Sequence, residues 1–161
     1  MTEGAHKIGL FVDVQNIYYT TRDTFGRQFD YRALWQAVSA EGEIVVANAY
    51  AIQRNDNKQI RFQQALMEIG FTIKLKPFIQ RRDGSAKGDW DVGITIDVMD
   101  TAKTVDRVVL LSGDGDFNLL LEKIRTDHAV HTEVYGVENL TAQSLISAAD
   151  SFHAISEQLL L

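Results

Sequence analysis

The apolar run Val108–Leu111 and the five residues after it constrain the fold of this chain more than any other segment. Four consecutive aliphatic residues are followed by the sequence SGDGD (112–116), and helix-like sequence resumes at Phe117. This pattern is typical of a buried parallel strand that ends in a loop. Open α/β sheets bind ligands at the carboxyl ends of their strands. We therefore predict that Asp114 and Asp116 lie at a functional edge of a sheet.

Apolar runs alternate with helical segments along the rest of the chain, which predicts a mostly parallel central sheet with helices on both faces. Strands are predicted at Ile8–Val14, Glu43–Ile52, Phe71–Ile79, Asp106–Leu111 and His131–Tyr135. Helices are predicted at Asp30–Ala40, from Asn55 or Asp56 to Ile69, and at Trp90–Thr101, Phe117–Thr126 and Ala142–Ala149. Pro77 favours an edge position for its strand, Gln80–Gly88 has the composition of a loop, and Phe152–Leu160 is a closing element of undetermined type. With 161 residues and no linker, we expect one α/β domain over residues 1–161.

Composition excludes several classes of protein and favours an oxygen-rich metal site. The chain has no cysteine, so a bound metal must use oxygen or imidazole ligands. No apolar run is long enough to cross a bilayer, and the N-terminal residues MTEGAHK lack the apolar core of a signal peptide. We therefore expect a cytoplasmic protein that does not act at a membrane.

Charge is distributed unevenly along the chain. The formal net charge is −6, yet the segment Arg54–Lys87 has eight basic and three acidic residues and a net charge of +5. One interpretation is a solvated helix face with a strand edge. The other is a basic rim beside an acidic centre, which suits a phosphate backbone held next to a metal.

Acidic residues recur at the predicted carboxyl edge of the sheet. Asp13 ends the first strand, where an unpaired charge is costly, although capping the next helix is an ordinary structural role for it. Asp114 likewise has a structural alternative, since it can cap the turn through Asp116. Two acids in one turn favour Mg²⁺ or Mn²⁺, which bind carboxylate oxygens. Ser112 can add a hydroxyl.

A third acidic cluster lies at the start of the helix predicted from Trp90. Asp91 occupies its first turn, where it can point into a site while Ile94 and Val98 pack on the core side. Asp97 lies about 120° around the helix from Asp91, so both cannot point the same way. We expect Asp97 to support the site from behind, or to bind a second ion if the helix is distorted.

Three motifs resemble one known family. FVDVQN, KGDWDVGITID and LLSGDGDFNLLL occur in the order and spacing of the NYN domain, LabA-like branch, of the PIN-like nuclease superfamily, and the similarity runs from about Ile8 to Ile155. The resemblance implies a PIN-like, Rossmann-like fold with a ribonuclease site that uses Mg²⁺ or Mn²⁺. By motif it assigns the catalytic and metal-binding acids Asp13, Asp91, Asp114 and Asp116. It also places Asn16 near Asp13 and matches Asp97 to a family acid.

These residues predict a metal-dependent endoribonuclease. Clustered carboxylates repel one another, and a divalent ion relieves that repulsion, lowers the pKa of a bound water and stabilises charge on an attacked phosphate. The resemblance implies products with a 5′-phosphate and a 3′-hydroxyl. Four basic residues are predicted to contact the RNA backbone: Arg54, Arg81, Arg82 and Lys87. No histidine is needed, and His6, His128, His131 and His153 are interpreted as structural or exposed.

Several alternatives stay open at this stage. The same fold can bind RNA, a nucleotide or a protein without turnover, and a DNA flap nuclease shares the chemistry. An aspartate-phosphorylating phosphatase needs a second aspartate two residues after its nucleophile, where this chain has Gln15. A homo-oligomer is compatible with the sequence. Tyr18, Tyr19 and Phe25 can stack unpaired bases, although packing in the core or in a lid is the favoured interpretation.

Overall fold

A six-stranded, fully parallel sheet forms the centre of the molecule. The computed structural model describes residues 6–54, 56–77, 79–80, 86–87 and 89–161. The sheet strands are β1 (Lys7–Asp13), β2 (Glu43–Gln53), β3 (Thr72–Pro77), β6 (Arg107–Leu111), β7 (His131–Gly136) and β8 (Ser151–Ala154). A separate antiparallel pair, β4 (Ile79–Gln80) and β5 (Ala86–Lys87), follows β3. The helices are α1 (Val14–Phe25), α2 (Tyr31–Ser39), α3 (Asn57–Ile69), α4 (Asp91–Ala102), α5 (Asn118–His128) and α6 (Gln143–Ala148).

The strand order β3-β2-β1-β6-β7-β8 places β1 and β6 side by side at the centre. The chain leaves β1 towards one half of the sheet and leaves β6 towards the other. A crevice is expected at the carboxyl ends of two such strands, where the winding direction reverses. The order therefore puts Asp13 and the turn after β6 at the position where this class of sheet binds ligands.

Alternating residues of the central strands supply two cores, one on each face of the sheet. In β1, Leu10 and Val12 belong to the core covered by α1, α2 and α3, whereas Phe11 points to the core covered by α4, α5 and α6. In β6, Val109 and Leu110 divide in the same way. Burial on both faces explains why these strands read as continuous apolar runs.

Local signals fix the helix ends that frame the sheet. Asp56 accepts a hydrogen bond from the Gln59 backbone N–H at 2.7 Å and caps α3. Gly70 ends that helix with φ of +136°, and a Cβ there would lie 2.7 Å from the Trp35 ring. Both the conformation and the close contact require glycine at this position.

The structure confirms the predicted fold class and defines the strands at the edges of the sheet and the closing segment. β3 lies at an edge, as Pro77 indicated. Within the predicted loop Gln80–Gly88, the described residues include part of the short pair β4–β5, and 81–85 and 88 lie outside the description. The closing element is an edge strand, β8, followed by the 3-10 turn Glu157–Leu159. In the part of the chain that the structure describes, no helix has both the length and the apolar character needed to span a bilayer.

Candidate metal centre

The turn after β6 is tied to the end of β1 by a chain of hydrogen bonds. Ser112, which is fully buried, donates from its Oγ to Asp13 Oδ2 at 3.1 Å and accepts from the Asp114 backbone N–H at 3.1 Å. The Gly113 N–H donates to Asn16 Oδ1 at 2.9 Å. Asp13 and Asn16 are therefore positioned against the same turn.

Close packing fixes that turn from its other side. A Cβ at Gly113 would lie 2.6 Å from the Leu140 carbonyl oxygen, and one at Gly115 would lie 2.9 Å from the Ala142 Cβ. The Ala142 N–H also donates to the Gly113 carbonyl at 3.0 Å. Glycine is needed here because the segment before α6 approaches so closely, and neither residue has a positive φ.

Asp91 reaches the turn from the N-terminus of α4. Its backbone N–H donates to Asp89 Oδ1 at 3.3 Å, and the helix behind it is anchored by Ile94 and Val98, both fully buried. An acid in the first helical turn interacts favourably with the helix dipole. The buried side chains of Ile94 and Val98 fix the position of α4, and this fixes the position of Asp91 at its N-terminus.

Three carboxylates meet in this arrangement. One oxygen from each of Asp91, Asp114 and Asp116 lies within 4.8 Å of the others. Ionised carboxylates accept hydrogen bonds and donate none, whereas a protonated one can donate. Two oxygens bound to one Mg²⁺ lie up to about 4.2 Å apart because Mg–O is close to 2.1 Å. The donor set therefore suits a hard divalent cation, and the 4.8 Å limit on the oxygen separations is about half an ångström above the largest separation that one Mg²⁺ spans.

Asp13 lies beside these three carboxylates and is not one of the 4.8 Å group. It caps α1, since its Oδ1 accepts from the Asn16 N–H at 3.4 Å. Asp114 also has a capping role, because its Oδ1 accepts from the Asp116 N–H at 2.9 Å. The structural roles considered for both residues are thus present. Asp114 uses only its Oδ1 in the cap, whereas both oxygens of Asp13 accept a hydrogen bond, Oδ1 from Asn16 and Oδ2 from Ser112. We call Asp13, Asp91, Asp114 and Asp116 the acid cluster.

The cluster carries uncompensated negative charge. Burial raises the pKa of Asp13 to about 6, and repulsion from Asp114 and Asp89 adds to the effect. Burial likewise raises the pKa of Asp91 to about 7, together with its hydrogen bond to Asp114 and repulsion from that residue. None of the ion pairs in the described ranges involves the acid cluster. A cation bound there would stabilise both ionised carboxylates.

Asp97 is not one of the three carboxylates that meet, and its contacts are with other residues. Its Oδ2 pairs with Lys74 Nζ at 2.7 Å and accepts from the Tyr50 hydroxyl at 2.7 Å. The separation of about 120° around α4 points it towards β2 and β3. Asp97 therefore fastens α4 to those strands.

The predicted RNA-contacting residues are only partly described. Arg54 is exposed directly after β2, at the same sheet edge as the acid cluster. Arg81 and Arg82 lie outside the described residues, and Lys87 is described only in its backbone, which lies in β5.

Sequence reasoning did not single out Lys76. Its Nζ donates to the Asp89 carbonyl at 3.0 Å and lies 4.8 Å from the centre of the Trp90 ring. This brings a cation to the segment that leads into Asp91. Its position at the carboxyl end of a predicted strand, inside the basic segment, was the available signal.

One histidine and the exposed aromatic residues of α1 were also considered in the sequence analysis, and the structure describes their surroundings. His153 binds the buried Glu133 at 2.7 Å, consistent with a structural role. Although burial raises the pKa of Glu133, hydrogen bonds from Arg107 and His153 hold it below its ordinary value. Tyr18, Tyr19 and Phe25 are 49%, 36% and 37% exposed, so of the two kinds of packing expected for them, in the core or in a lid, packing in the core is wrong.

Comparisons with known proteins agree with this architecture. The family model described as the NYN domain matches residues 7–157. The chain is 29% identical over 154 residues to the low amplitude and bright protein LabA of Synechococcus elongatus. The aligned residues cover 91% of this chain and 82% of LabA. The chain also superimposes on the crystal structure of a Vibrio parahaemolyticus protein of unknown function with a TM-score of 0.95. The two sequences are 52% identical, and the match covers 100% of this chain and 99% of the other. The chain therefore belongs to the NYN domain family.

Proposed function

We propose that this protein is a metal-dependent ribonuclease that hydrolyses RNA phosphodiester bonds at the acid cluster. The observation that carries the proposal is the meeting of Asp91, Asp114 and Asp116 within 4.8 Å at the carboxyl edge of the sheet. Membership of the NYN family supports it. The proposal treats residues 1–161 as one catalytic domain.

Asp91, Asp114 and Asp116 would hold Mg²⁺ or Mn²⁺, and Asp13 would support the ion from the end of β1. A bound ion of this kind lowers the pKa of water and offsets negative charge on a phosphate. Ser112 keeps Asp13 oriented through its hydroxyl hydrogen bond, and the Asn16 amide holds the turn through Gly113. These contacts keep the acids in place before any substrate arrives, so little reorganisation is needed.

The remaining residues suit a polyanionic substrate. Lys76 and Arg54 lie at the carboxyl ends of β3 and β2, on the same edge as the acids. They would contact phosphates on either side of the scissile bond, as we also propose for Arg81, Arg82 and Lys87. Hydrolysis adds water across one P–O bond, and it would leave a 5′-phosphate on one product and a 3′-hydroxyl on the other.

The test is cleavage of an end-labelled RNA of mixed sequence by purified protein with Mg²⁺, Mn²⁺ or EDTA. We expect cleavage with either ion and none with EDTA. Loss of a group that only supports a metal ligand costs about 10- to 100-fold, so Asp114→Asn should reduce cleavage at least about a hundredfold. The thermal midpoint of Asp114→Asn should equal or exceed that of the wild type, because repulsion is relieved.

Asp100→Asn is the matched control, since Asp100 is an exposed acid of α4 outside the acid cluster. This variant should cleave the RNA at the wild-type rate. Cleavage by Asp114→Asn at the wild-type rate would refute the assignment. Mn²⁺ binding without cleavage of any RNA would instead indicate a non-catalytic binding module. Equal cleavage of the matching 2′-deoxy oligonucleotide would show that the substrate class is not restricted to RNA.

A further inference from the structure

We propose that the exposed side of α1 binds unpaired nucleotides of the substrate, whose bases stack on Tyr18 and Tyr19 beside Arg22. We call these three residues the tyrosine platform. The inference rests on the proposed function and extends it, because it names single-stranded RNA as the substrate class.

Both tyrosines are exposed on a helix that needs neither of them for its core. The buried residues of α1 are Val14, Ile17 and Thr21, which share one side of the helix. Tyr18 and Tyr19 are 49% and 36% exposed, and their ring centres lie 5.2 Å apart at 74°. A surface helix ordinarily places polar residues outward. Two adjacent aromatic rings there provide apolar area that is free to receive a flat ligand.

Arg22 adds a positive charge to both rings. Its Cζ lies 5.2 Å from the Tyr18 ring centre and 5.1 Å from that of Tyr19, and its Nη1 donates to the Tyr18 hydroxyl at 3.5 Å. Within the described ranges, no ion pair involves Arg22. A guanidinium in this position can stack on a base and bind a phosphate in a bidentate way.

The platform begins close to the acid cluster. Asp13 caps α1, and the two tyrosines follow five and six residues later, about 7–9 Å along the helix axis at a rise of 1.5 Å per residue. Asn16, which binds the Gly113 N–H, is a neighbour of Tyr19 on the helix surface because they are three residues apart. One strand of RNA passing the acids would therefore reach the rings within two or three nucleotides.

This combination favours unpaired bases over a duplex. Aromatic side chains recognise single strands because unstacked bases offer free faces, whereas bases inside a duplex are already stacked. Each such contact strengthens binding roughly 5- to 150-fold, as judged by alanine substitution, and tolerates any base. We therefore expect preference for single strands without strong sequence preference at these positions.

The test measures RNA binding in the Asp114→Asn background, which prevents turnover. The probes are a fluorescent unpaired 12-nucleotide RNA and a hairpin with the same sequence in its stem. Tyr18→Ala with Tyr19→Ala should weaken binding of the unpaired RNA at least about tenfold and reduce its advantage over the hairpin. Tyr18→Phe with Tyr19→Phe keeps the rings and should stay within about threefold of the parent.

Phe25→Ala is the matched control, because Phe25 is an equally exposed aromatic residue at the far end of α1. It should bind the unpaired RNA like the parent, and thermal melts of all variants show whether the fold is kept. A double alanine variant with parental affinity and selectivity would overturn the inference while leaving the cleavage assay, and so the proposed function, intact. Loss of self-association with unchanged RNA affinity would assign the platform to a protein contact and also overturn it. A parent that binds no RNA would contradict both proposals.

Discussion

Individual residues of the acid cluster combine structural and chemical roles that the sequence suggested only as alternatives. Asp13 caps α1 and also receives the Ser112 hydroxyl, while Asp114 caps the turn and also faces Asp91. The sequence indicated where each acid lies, because each follows a strand or starts a helix, and of the four acids Asp91, Asp114 and Asp116 form the 4.8 Å group. It could not predict that Ser112 joins Asp13 to Asp114, since this contact spans 99 residues.

Asp13 should make the stability of the metal-free protein depend on pH. Burial raises its pKa to about 6, so the folded state holds the proton more tightly than the unfolded chain, whose aspartates titrate near about 3.9. The stabilisation is complete below about pH 4 and is lost as the pH rises through 6. Asp13→Asn cannot ionise, and its single side-chain oxygen can still cap α1 while its amide NH2 donates to Ser112 Oγ instead of accepting from it. Its stability advantage over the wild type in EDTA should therefore be larger at pH 8 than at pH 4.5.

Thermal midpoints of both proteins at the two pH values check this directly. Asp100→Asn provides the comparison, because Asp100 is an exposed acid at the other end of α4 from Asp91. A difference between Asp13→Asn and wild type that is the same at both pH values would show that the Asp13 carboxyl is not held in a costly environment.

At the scale of elements, most strands and helices followed from residue pattern. No range was predicted for α1, whose presence was implied only by the cap considered for Asp13. The continuous apolar run of β6 and the capped, glycine-terminated α3 were predicted within one or two residues of their observed bounds. The Phe152–Leu160 segment was not resolved by pattern because β8 has only four residues and a mixed burial pattern. The strand conformation of β8 depends on its parallel pairing with β7, and β7 lies outside the Phe152–Leu160 segment.

The turn after β6 should depend on the absence of side chains at its two glycines. Gly113→Ala places a Cβ 2.6 Å from a backbone oxygen of Leu140, so the turn must move, at a cost of about 1–3 kcal/mol. We expect a lower thermal midpoint and weaker Mn²⁺ binding by calorimetry. Gly115→Ala meets the Ala142 Cβ instead, so adding Ala142→Gly should restore much of its loss.

The same Ala142→Gly change should not rescue Gly113→Ala, because the obstacle there is the main chain. Full Mn²⁺ affinity in Gly113→Ala would mean that the turn is not rigidly positioned by the segment before α6.

At the scale of the whole molecule, the location of the site depends on strand order. The sequence predicted parallel strands with helices on both faces, but it could not give β1 and β6 as neighbours, because that pairing joins residues such as Leu10 and Val109 across most of the chain. Once β1 and β6 are adjacent, Asp13 and Asp114 meet at the point where the winding reverses. Asp97 shows the limit of motif spacing, because its contacts with Tyr50 and Lys74 depend on where β2 and β3 lie.

The central claim is that acids from separate segments of the chain bind one divalent cation. A crystal of the protein grown with Mn²⁺, measured at a wavelength where manganese scatters anomalously, tests it most directly. We predict one anomalous peak that marks a manganese ion about 2 Å from oxygens of Asp91, Asp114 and Asp116. Asp13 should lie beside this ion, at the end of β1. A well-ordered acid cluster with no anomalous peak at millimolar Mn²⁺, or a peak held by other residues, would contradict the account.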